Sequence, residues 1–548
     1  MRPTDVGQGS GGDAPVALAA SEAPLDRAVH AWLRELPGHL RAKFEGCWNQ
    51  VGLLVDPTNL RVGTMYSGSD IVTHVLRALA VAMNVVLGVE FQFTHEFACE
   101  CEGEVVTFLK QCFADLTLIF KDGADMGAEK AQLVDGELAN VPAVDWLFAG
   151  FICVSRSACS SKRSANKGCV AAGKEPTGES LHNVIRFIEA KKPTLVTLEN
   201  VIQLAETNDA NESDSIYILD KLGEAGYSAD VYKVCANNFG SACARARLFF
   251  VAFLRSESEG SMRAAHTTLK TVLSSISADP CEWPTHDPGL YLLDDLTRNN
   301  LMPPQIRAKH KKQKTDLKFL DEHCTMFKDR GLAWPPTAQF SLEGEFTQRN
   351  LEMVHFCETI FPCCATQAEL KNGPVYGFLD LNPSLPRIIG DGTKSPWWST
   401  PPTITTLSKI YMRREHLHDG QLAVERRLLS GLELMQFMGW DLSLYPETWL
   451  LDCSSSDIDW NHRLNSMAGN AFNGFAVGIV CLAVLCGYAT KDHMWLAEGC
   501  AQEPNVDSDI FLDDSTSDGS APASPPPVPQ SSASRGITQA PVVSDDEW

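Results

Sequence analysis

Two stretches decide the fold of this chain: residues 144–163, VDWLFAGFICVSRSACSSKR, and residues 191–204, KKPTLVTLENVIQL. Each contains a short run rich in Leu, Phe, Val and Ile that stops abruptly at polar residues. Such runs favour buried strands of a parallel sheet over helices. Cys153 follows the first run and Glu199 follows the second. Because open α/β sheets bind ligands at the carboxyl ends of their strands, we expect this thiol and this carboxyl to share one pocket.

The composition indicates a large globular protein with an acidic surface. A chain of 548 residues is long enough for two or more domains, and 44% of its residues are apolar. The net charge is −23, of which the segment 501–548, with nine acidic residues and one Arg, supplies only −8. Any contact with nucleic acid therefore has to come from a local basic patch.

The cysteines and apolar segments indicate an intracellular protein without a metal or a membrane span. Eighteen cysteines occur without regular spacing, and the N-terminus lacks the pattern of a secretory signal, so we predict reduced thiols. Cys99 and Cys101 lie close to His95, but no second ligand pair follows, which favours core cysteines. The apolar segment 475–488 is shorter than the ~20 residues that a membrane span needs.

A corner able to accept a nucleotide is predicted at residues 61–70, RVGTMYSGSD, where a strand and a tight Ser-Gly turn precede a helix. Taken alone, an ordinary turn between a strand and a helix is an equally good interpretation. Residues 89–97 alternate in polarity and predict a second strand ending in Glu96. The apolar run 116–120 predicts a third strand, which Asp122 follows.

Two basic features lie further along the chain. Arg245 and Arg247 precede an apolar strand, LFFVAF. The segment 255–400 is rich in Pro and poor in periodicity, and it contains the densest basic run, RAKHKKQKTDLK at 307–318. Clustered Lys favours phosphate contacts, and a solvated helix face is an equally good interpretation of the run taken by itself.

These segments resemble, in order, the motifs of the C5-cytosine DNA methyltransferase family. GFICVSRS resembles the family's G-x-P-C-Q-x-x-S loop, LENV its Glu-Asn-Val motif, and MYSGSD its D-L-F-S-G-x-G-G turn. PPTITTL (401–407), RRLLSGLELMQFMGWD (426–441) and the segment beginning RLNSMAGNAF (463–485) resemble its C-terminal motifs. The stretch 239–247 resembles the family's tyrosine-glycine and Q-R-R-x-R motif through Arg245 and Arg247. The departures from the family pattern include Thr64 for Asp, Asp70 for Gly, Ile152 for Pro, Val154 for Gln, and Cys243 for Gln.

The resemblance implies an α/β, Rossmann-like, S-adenosylmethionine-dependent methyltransferase fold with a smaller inserted target-recognition domain. The composition of residues 1–24 and 491–548 predicts disorder. The remaining predicted regions are a helical lead-in at 25–60, a catalytic domain at 61–254, a target-recognition domain at 255–425, and C-terminal motifs at 426–490 that pack back on the catalytic domain.

The resemblance also implies roles for individual residues. The expected contacts to S-adenosyl-L-methionine come from Tyr66, Ser67, Gly68, Glu96, Asp122 and Asn470. Glu96 would bind the ribose hydroxyls, and Asp122, with Asp125 as an alternative, the adenine amino group. Cys153 would add to C6 of cytosine while Glu199 acts at N3. Arg245 and Arg247 would hold the base edge or its phosphate and orient the thiolate and Glu199.

Three functions follow from these observations. The leading hypothesis is a DNA methyltransferase that makes 5-methylcytosine, with DNA as its substrate and the nucleus as its location. The second is a related enzyme acting on RNA, since the tRNA-directed branch shares most of these motifs. The third is a non-catalytic relative that binds DNA or a partner, which the altered residues beside Cys153 favour. Retention of Cys153, Glu199 and both arginines argues against the third.

Overall fold

The computed structural model describes residues 23–48, 60–157, 160, 162–207, 213–255, 259–279, 282–293, 314–332, 348–361, 365–383, 395–406, 408–441 and 460–490. The tail predicted at 491–548, residues 1–22 of the predicted disordered N-terminus, and residues 307–313 of the basic run lie outside these ranges.

A seven-stranded sheet organises the protein, in the order β3-β2-β1-β6-β7-β9-β8. The strands β1, β2, β3, β6 and β7 are parallel, whereas β9 runs antiparallel to both β7 and β8. A separate two-stranded hairpin is formed by β4 and β5. The strand bounds are β1 Leu60–Met65, β2 Phe93–Cys99, β3 Ile119–Phe120, β4 Lys130–Gln132, β5 Leu138–Asn140, β6 Trp146–Ala149, β7 Leu195–Val201, β8 Tyr227–Cys235 and β9 Ala246–Leu254.

Helices cover both faces of this sheet, which explains why β6 and β7 are buried along their whole length and read as continuous apolar runs. One face packs against α1, α2, α3, α4 and α7, and the other against α5 and α6. The helix bounds are α1 Pro24–Glu35, α2 Gly38–Trp48, α3 Ile71–Leu87, α4 Gly103–Cys112, α5 Glu175–Lys191, α6 Asp214–Glu224 and α7 Glu259–Ile276.

The inserted region has its own small sheet and helices. The strands β10 (Val375–Asp380), β11 (Ile410–His418) and β12 (Gln421–Leu428) form an antiparallel sheet. With α8 (Lys314–Asp329) and α9 (Gln348–Ile360) they enclose a separate apolar cluster around Phe327, Phe356 and Tyr411. A short helix, α10 (Gln367–Asn372), precedes β10.

Both boundaries predicted for the inserted domain differ from the structure. The segment after residue 254 packs on the main core. The apolar residues of α7 are buried in that core, and the Tyr291 ring stacks on the Phe437 ring with 4.8 Å between centroids. At the other end, β12 continues through Leu428, so the predicted boundary at 425 cuts a strand. Periodicity did not reveal either point, because packing against sequence-distant helices decides them.

The described part of the chain ends with three helices that pack on the main core: α11 (Gly431–Phe437), α12 (Trp460–Asn470) and α13 (Gly474–Thr490). The stretch Trp460–Ala489 is long and apolar enough to cross a membrane, with a mean hydropathy of 1.9, but its most apolar window is entirely buried inside the protein. Its apolar residues pack against α1, α3 and α7. Core packing therefore accounts for this composition.

Candidate active site

The topology brings the two residues predicted from the opening stretches to one edge of the sheet. The strands β6 and β7 are parallel neighbours, and Ala149 pairs with Leu198. Glu199 follows Leu198 directly, and Cys153 lies four residues beyond Ala149. The amide of Asn200 donates to the carbonyl of Phe151 at 2.7 Å, which ties the cysteine loop to the strand that carries Glu199.

Glu199 is a buried carboxyl paired with a cation. Burial raises its pKa, while Arg247 and Arg245 oppose that rise. The Nε of Arg247 lies 3.1 Å from Oε1 of Glu199. A carboxyl in this environment can carry a proton at a higher pH than usual and can donate it to a ring nitrogen.

Cys153 is a half-buried thiol within electrostatic reach of the same groups. Burial raises its pKa and Glu199 raises it further, while Arg247 and Arg245 lower it. The cysteine, the carboxyl and the two arginines predicted from the sequence therefore influence one another electrostatically. This is the arrangement that a cysteine nucleophile with an acid partner requires.

The contacts of Arg245 do not match its expected role of holding the base edge and orienting Glu199. Its guanidinium is buried and donates to three backbone carbonyls: Ile404 at 2.7 Å, Gly469 at 3.0 Å and Ala471 at 2.9 Å. Burial lowers its pKa to about 10. With both terminal nitrogens occupied, Arg245, which directly precedes β9, contacts the two C-terminal motifs, whereas Arg247 contacts Glu199.

The cysteine loop lacks the proline and glutamine of the family motif, and hydrogen bonds to neighbouring side chains hold it. The backbone N–H of Ile152, which a proline would lack, donates to Oγ of Ser180 at 3.0 Å. The N–H of Ser155 donates to Oγ1 of Thr177 at 3.3 Å, and Asn166 donates to the carbonyl of Ser155 at 3.2 Å. The altered loop is therefore held by side chains of α5 and of the loop that precedes it.

The predicted nucleotide corner forms at the carboxyl end of β1. Tyr66 and Gly68 both have positive φ, at 54° and 65°, and Ser67 is buried between them. A Cβ on Gly68 would lie 3.3 Å from the carbonyl oxygen of Asn470, so this turn packs against the end of α12. The structure thus brings together Tyr66, Ser67, Gly68 and Asn470, four of the residues expected to contact the cofactor.

The prediction that Glu96 ends the second strand is wrong. The strand β2 continues to Cys99, and Glu96 lies within it, where its carboxylate accepts from Thr94 at 2.9 Å. Glu100 follows the strand instead, and its buried carboxyl accepts from the N–H of Gly68 at 2.7 Å. The alternating pattern of 89–97 placed the strand end too early, because the buried Ala98-Cys99 pair continues it.

Asp122, expected to contact the adenine amino group, lies after the third strand. Asp122 follows β3, and its carboxylate accepts from the N–H of Ala124 at 2.9 Å, which begins a short 3₁₀ turn. The hydroxyl of Tyr66 accepts from Asn183 at 3.1 Å, and a Cβ on Gly123 would overlap that hydroxyl. Asp122 therefore borders the same corner as Tyr66. Asp125, the alternative, ends that 3₁₀ turn.

Two supports of this corner were not foreseen. Buried Asp70 lies 3.3 Å from Nε2 of His95 and accepts from Thr73 at 3.1 Å, while Thr64 contacts the same ring nitrogen at 3.2 Å. The indole N–H of Trp440 donates to Oγ of Ser69 at 3.1 Å. The departures at Thr64 and Asp70 were visible in the sequence, but their pairing through His95 was not.

The corner fits the cofactor that the resemblance implied. Glu100 offers a carboxyl for adjacent hydroxyls, Asp122 offers one for an amino group, and Gly68, with its positive φ, allows the tight turn between β1 and α3. Burial raises the pKa of Glu100 to about 8. A buried carboxyl of this kind gains most when a ligand supplies hydrogen-bond donors.

A doubly wound sheet with an acidic corner beside a cysteine and a glutamate defines the class: a Rossmann-like methyltransferase. Residues 65–470 match the family model described as C-5 cytosine-specific DNA methylase. The chain belongs to this family. The methyl donor of the family is S-adenosyl-L-methionine.

Individual relatives are distant. The DNA (cytosine-5-)-methyltransferase DMT5 of Cryptococcus neoformans is 25% identical over 35% of this chain and 8% of its own length. The type II methyltransferase M.Sau3AI of Staphylococcus aureus is 31% identical over 24% of this chain and 31% of its own length. The crystal structure of the S. pombe Dnmt2 methyltransferase matches 78% of this chain and 98% of its own at 12% identity, with a TM-score of 0.36. The chain thus spans less than a third of the length of either curated relative.

Proposed function

We propose that this protein is a DNA (cytosine-5-)-methyltransferase that acts through a covalent adduct of Cys153. The observation that carries the proposal is the convergence of Cys153, Glu199 and Arg247 at the carboxyl ends of β6 and β7. Family membership supports the reaction class. The retained chemistry supports an active enzyme over a non-catalytic relative.

The residues divide the reaction between them. Cytosine C5 is a weak nucleophile, and addition of the Cys153 thiolate to C6 makes it electron-rich. Glu199 donates a proton or a hydrogen bond to N3, which draws off the charge that the thiolate brings, and its raised pKa suits that task. Arg247 holds the Glu199 carboxyl in place through the 3.1 Å contact.

The bound cofactor supplies an electrophilic methyl group to C5. A water molecule then takes the C5 proton, the C5–C6 double bond forms as the bond from C6 to sulfur breaks, the Cys153 thiolate leaves, and any proton on N3 returns to Glu199. The corner of Tyr66, Gly68 and Glu100 is the proposed cofactor site. The target base has to leave its stack to reach Cys153, as is usual for enzymes that modify bases.

The test is transfer of labelled methyl groups from S-adenosylmethionine to duplex DNA and, in parallel, to tRNA, by the wild type and Cys153→Ala. We expect transfer to DNA that is lost in the variant. Transfer to tRNA alone would replace this proposal with the RNA-directed one. Cofactor binding without transfer to either would favour the non-catalytic relative.

DNA binding and a nuclear location are further parts of the proposal. The basic run 307–318 supports both, because clustered Lys contacts phosphates and also forms import signals. Replacing Lys309, Lys311 and Lys312 with Ala should raise the KM for DNA but not for S-adenosylmethionine. A fluorescent fusion should lose its nuclear signal with the same changes. An unchanged KM and an unchanged distribution would remove this part.

A further inference from the structure

Arg156, three residues after Cys153, is a charged side chain with no exposure to solvent. Its Nη1 donates to the carbonyl of Arg163 at 2.9 Å and its Nη2 to the carbonyl of Gln203 at 2.7 Å. Its Nε lies 2.9 Å from the carboxylate of Asp214, which is also buried. Every nitrogen of this guanidinium therefore faces an oxygen of another segment.

These partners come from the segments that surround the proposed nucleophile. Gln203 lies in the 3₁₀ turn Ile202–Ala205, directly after the strand that carries Glu199. Asp214 is the first residue of α6, and burial raises the pKa of its carboxyl while Arg156 opposes that rise. Arg156 thus connects the cysteine loop to the 3₁₀ turn that follows β7 and to the first residue of α6.

The backbone of Arg156 also belongs to the turn of the nucleophile. The N–H groups of Arg156 and Ser157 both donate to the carbonyl of Cys153, at 3.0 Å and 2.9 Å. A shift of the guanidinium is therefore passed directly to Cys153. This turn lacks the proline whose ring would restrict it, so its geometry depends on such contacts.

We propose that Arg156, fixed by Asp214, is a positioning residue that holds the Cys153 turn at its working distance from Glu199. The inference rests on the proposed function and adds to it a residue at a variable position of the family's loop motif. A buried ion pair is a poor source of stability, because the desolvation of both charges offsets their attraction. Its geometry is specific, however, because a planar guanidinium fixes three partners at once.

The experiment compares four variants of the full chain with the wild type. Arg156→Met removes the three contacts, and Arg156→Lys keeps the charge without the planar fork. The double variant R156M/D214N leaves no unpaired buried charge and guards against misfolding of the single variant. Arg163→Met is the matched control: its partly exposed side chain shares only Glu206 with Arg156, at 3.7 Å and 3.8 Å, so the change leaves the three short contacts of Arg156 in place.

Two readouts separate positioning from stability. The first is kcat for methyl transfer alongside the KM for S-adenosylmethionine. The second is the rate of alkylation of Cys153 by iodoacetamide against pH, followed by mass spectrometry of its peptide. We expect R156M and R156M/D214N to lower kcat by about 100-fold with an unchanged KM, because small misplacements of reacting groups have effects of this size. The alkylation profile should move to lower pH, as the freed thiol leaves its buried place beside Glu199.

The outcomes distinguish this inference from the proposed function. Partial recovery of kcat in R156K and a wild-type profile in R163M would support it. A wild-type alkylation profile in the folded double variant would overturn it, and so would an equal change in R163M. If the wild type methylates neither DNA nor tRNA, the proposed function fails, while the alkylation profiles still decide whether Arg156 positions Cys153.

Discussion

At the scale of single residues, we expect Glu100 to make cofactor binding depend on pH. Its carboxyl is buried, accepts from Gly68 and has a pKa raised to about 8. The hydroxyls of a bound ribose would donate to the ionised form and favour it. Cofactor affinity in the wild type should therefore rise from pH 6 to pH 8, with proton release visible in calorimetry in buffers of different ionisation enthalpy.

The variant Glu100→Gln should bind the cofactor about 10-fold to 100-fold more weakly and without this pH dependence, because a charge-assisted hydrogen bond is lost. Glu96→Gln is the matched control, since Glu96 lies within β2 and accepts only from Thr94 in the described contacts. Equal losses in both variants would show that Glu100 has no special part in binding.

Glu100→Gln should also stabilise the protein when no cofactor is bound. The pKa of Glu100 is raised in the folded state, so its contribution to stability is complete below about pH 4.5 and is lost as pH rises toward 8. Glu100→Gln removes this loss. We expect a gain of about 4 kcal/mol at pH 8 and almost none at pH 4, because each pH unit between about 4.5 and 8 costs the wild type ~1.4 kcal/mol. Urea unfolding at both pH values measures it, and a gain independent of pH would contradict it.

Replacing Glu199 should make the Cys153 thiol easier to ionise and yet slow methyl transfer. Its negative charge raises the pKa of Cys153, so Glu199→Gln should move alkylation of Cys153 to lower pH. Methyl transfer should nevertheless fall by about 100-fold or more, because the proton donor to N3 is gone. Glu189→Gln, an exposed change on α5, is the control. Unchanged turnover in Glu199→Gln would remove its assigned role.

At the scale of elements, Arg245 joins three segments that are far apart in sequence. Its contacts to the carbonyls of Ile404, Gly469 and Ala471 connect β9 to the motif at 401–407 and to the end of α12. Arg245→Met should destabilise the protein by about 3 kcal/mol or more, because three buried carbonyls lose a charged donor. Thermal unfolding measures this. A loss of stability below about 1 kcal/mol would show that Arg245 does not hold these segments together.

The elements also show what the sequence could predict. The uninterrupted apolar spacing of 71–87 predicts a helix, and α3 has those bounds. The cysteine and glutamate were found because each follows a short apolar run in the sequence, although β7 continues past Glu199 to Val201. Glu100, Ser180 and Asp214 were missed because their importance arises from contacts with residues 28 to 58 positions away, at Gly68, Ile152 and Arg156. No local pattern carries such contacts.

At the scale of the whole molecule, the helical lead-in is part of the main core. Trp32 is buried and its indole donates to the carbonyl of Phe239 at 3.2 Å, while α1 packs against α3 and α13. A chain that begins at residue 49 should expose this surface, bind a hydrophobic dye and lose cooperative unfolding. A chain that begins at residue 23 is the control. Cooperative unfolding of the shorter chain would contradict this role.

The central claim is that Cys153 forms the covalent bond to cytosine. Duplex DNA containing 5-fluorocytosine tests it directly, because fluorine at C5 cannot leave as a proton does and the thiolate stays attached after methyl transfer. With S-adenosylmethionine present, we predict a denaturation-resistant adduct that peptide mass spectrometry maps to Cys153, and none in Cys153→Ala. An adduct on a different cysteine, or methyl transfer that survives in Cys153→Ala, would contradict the account.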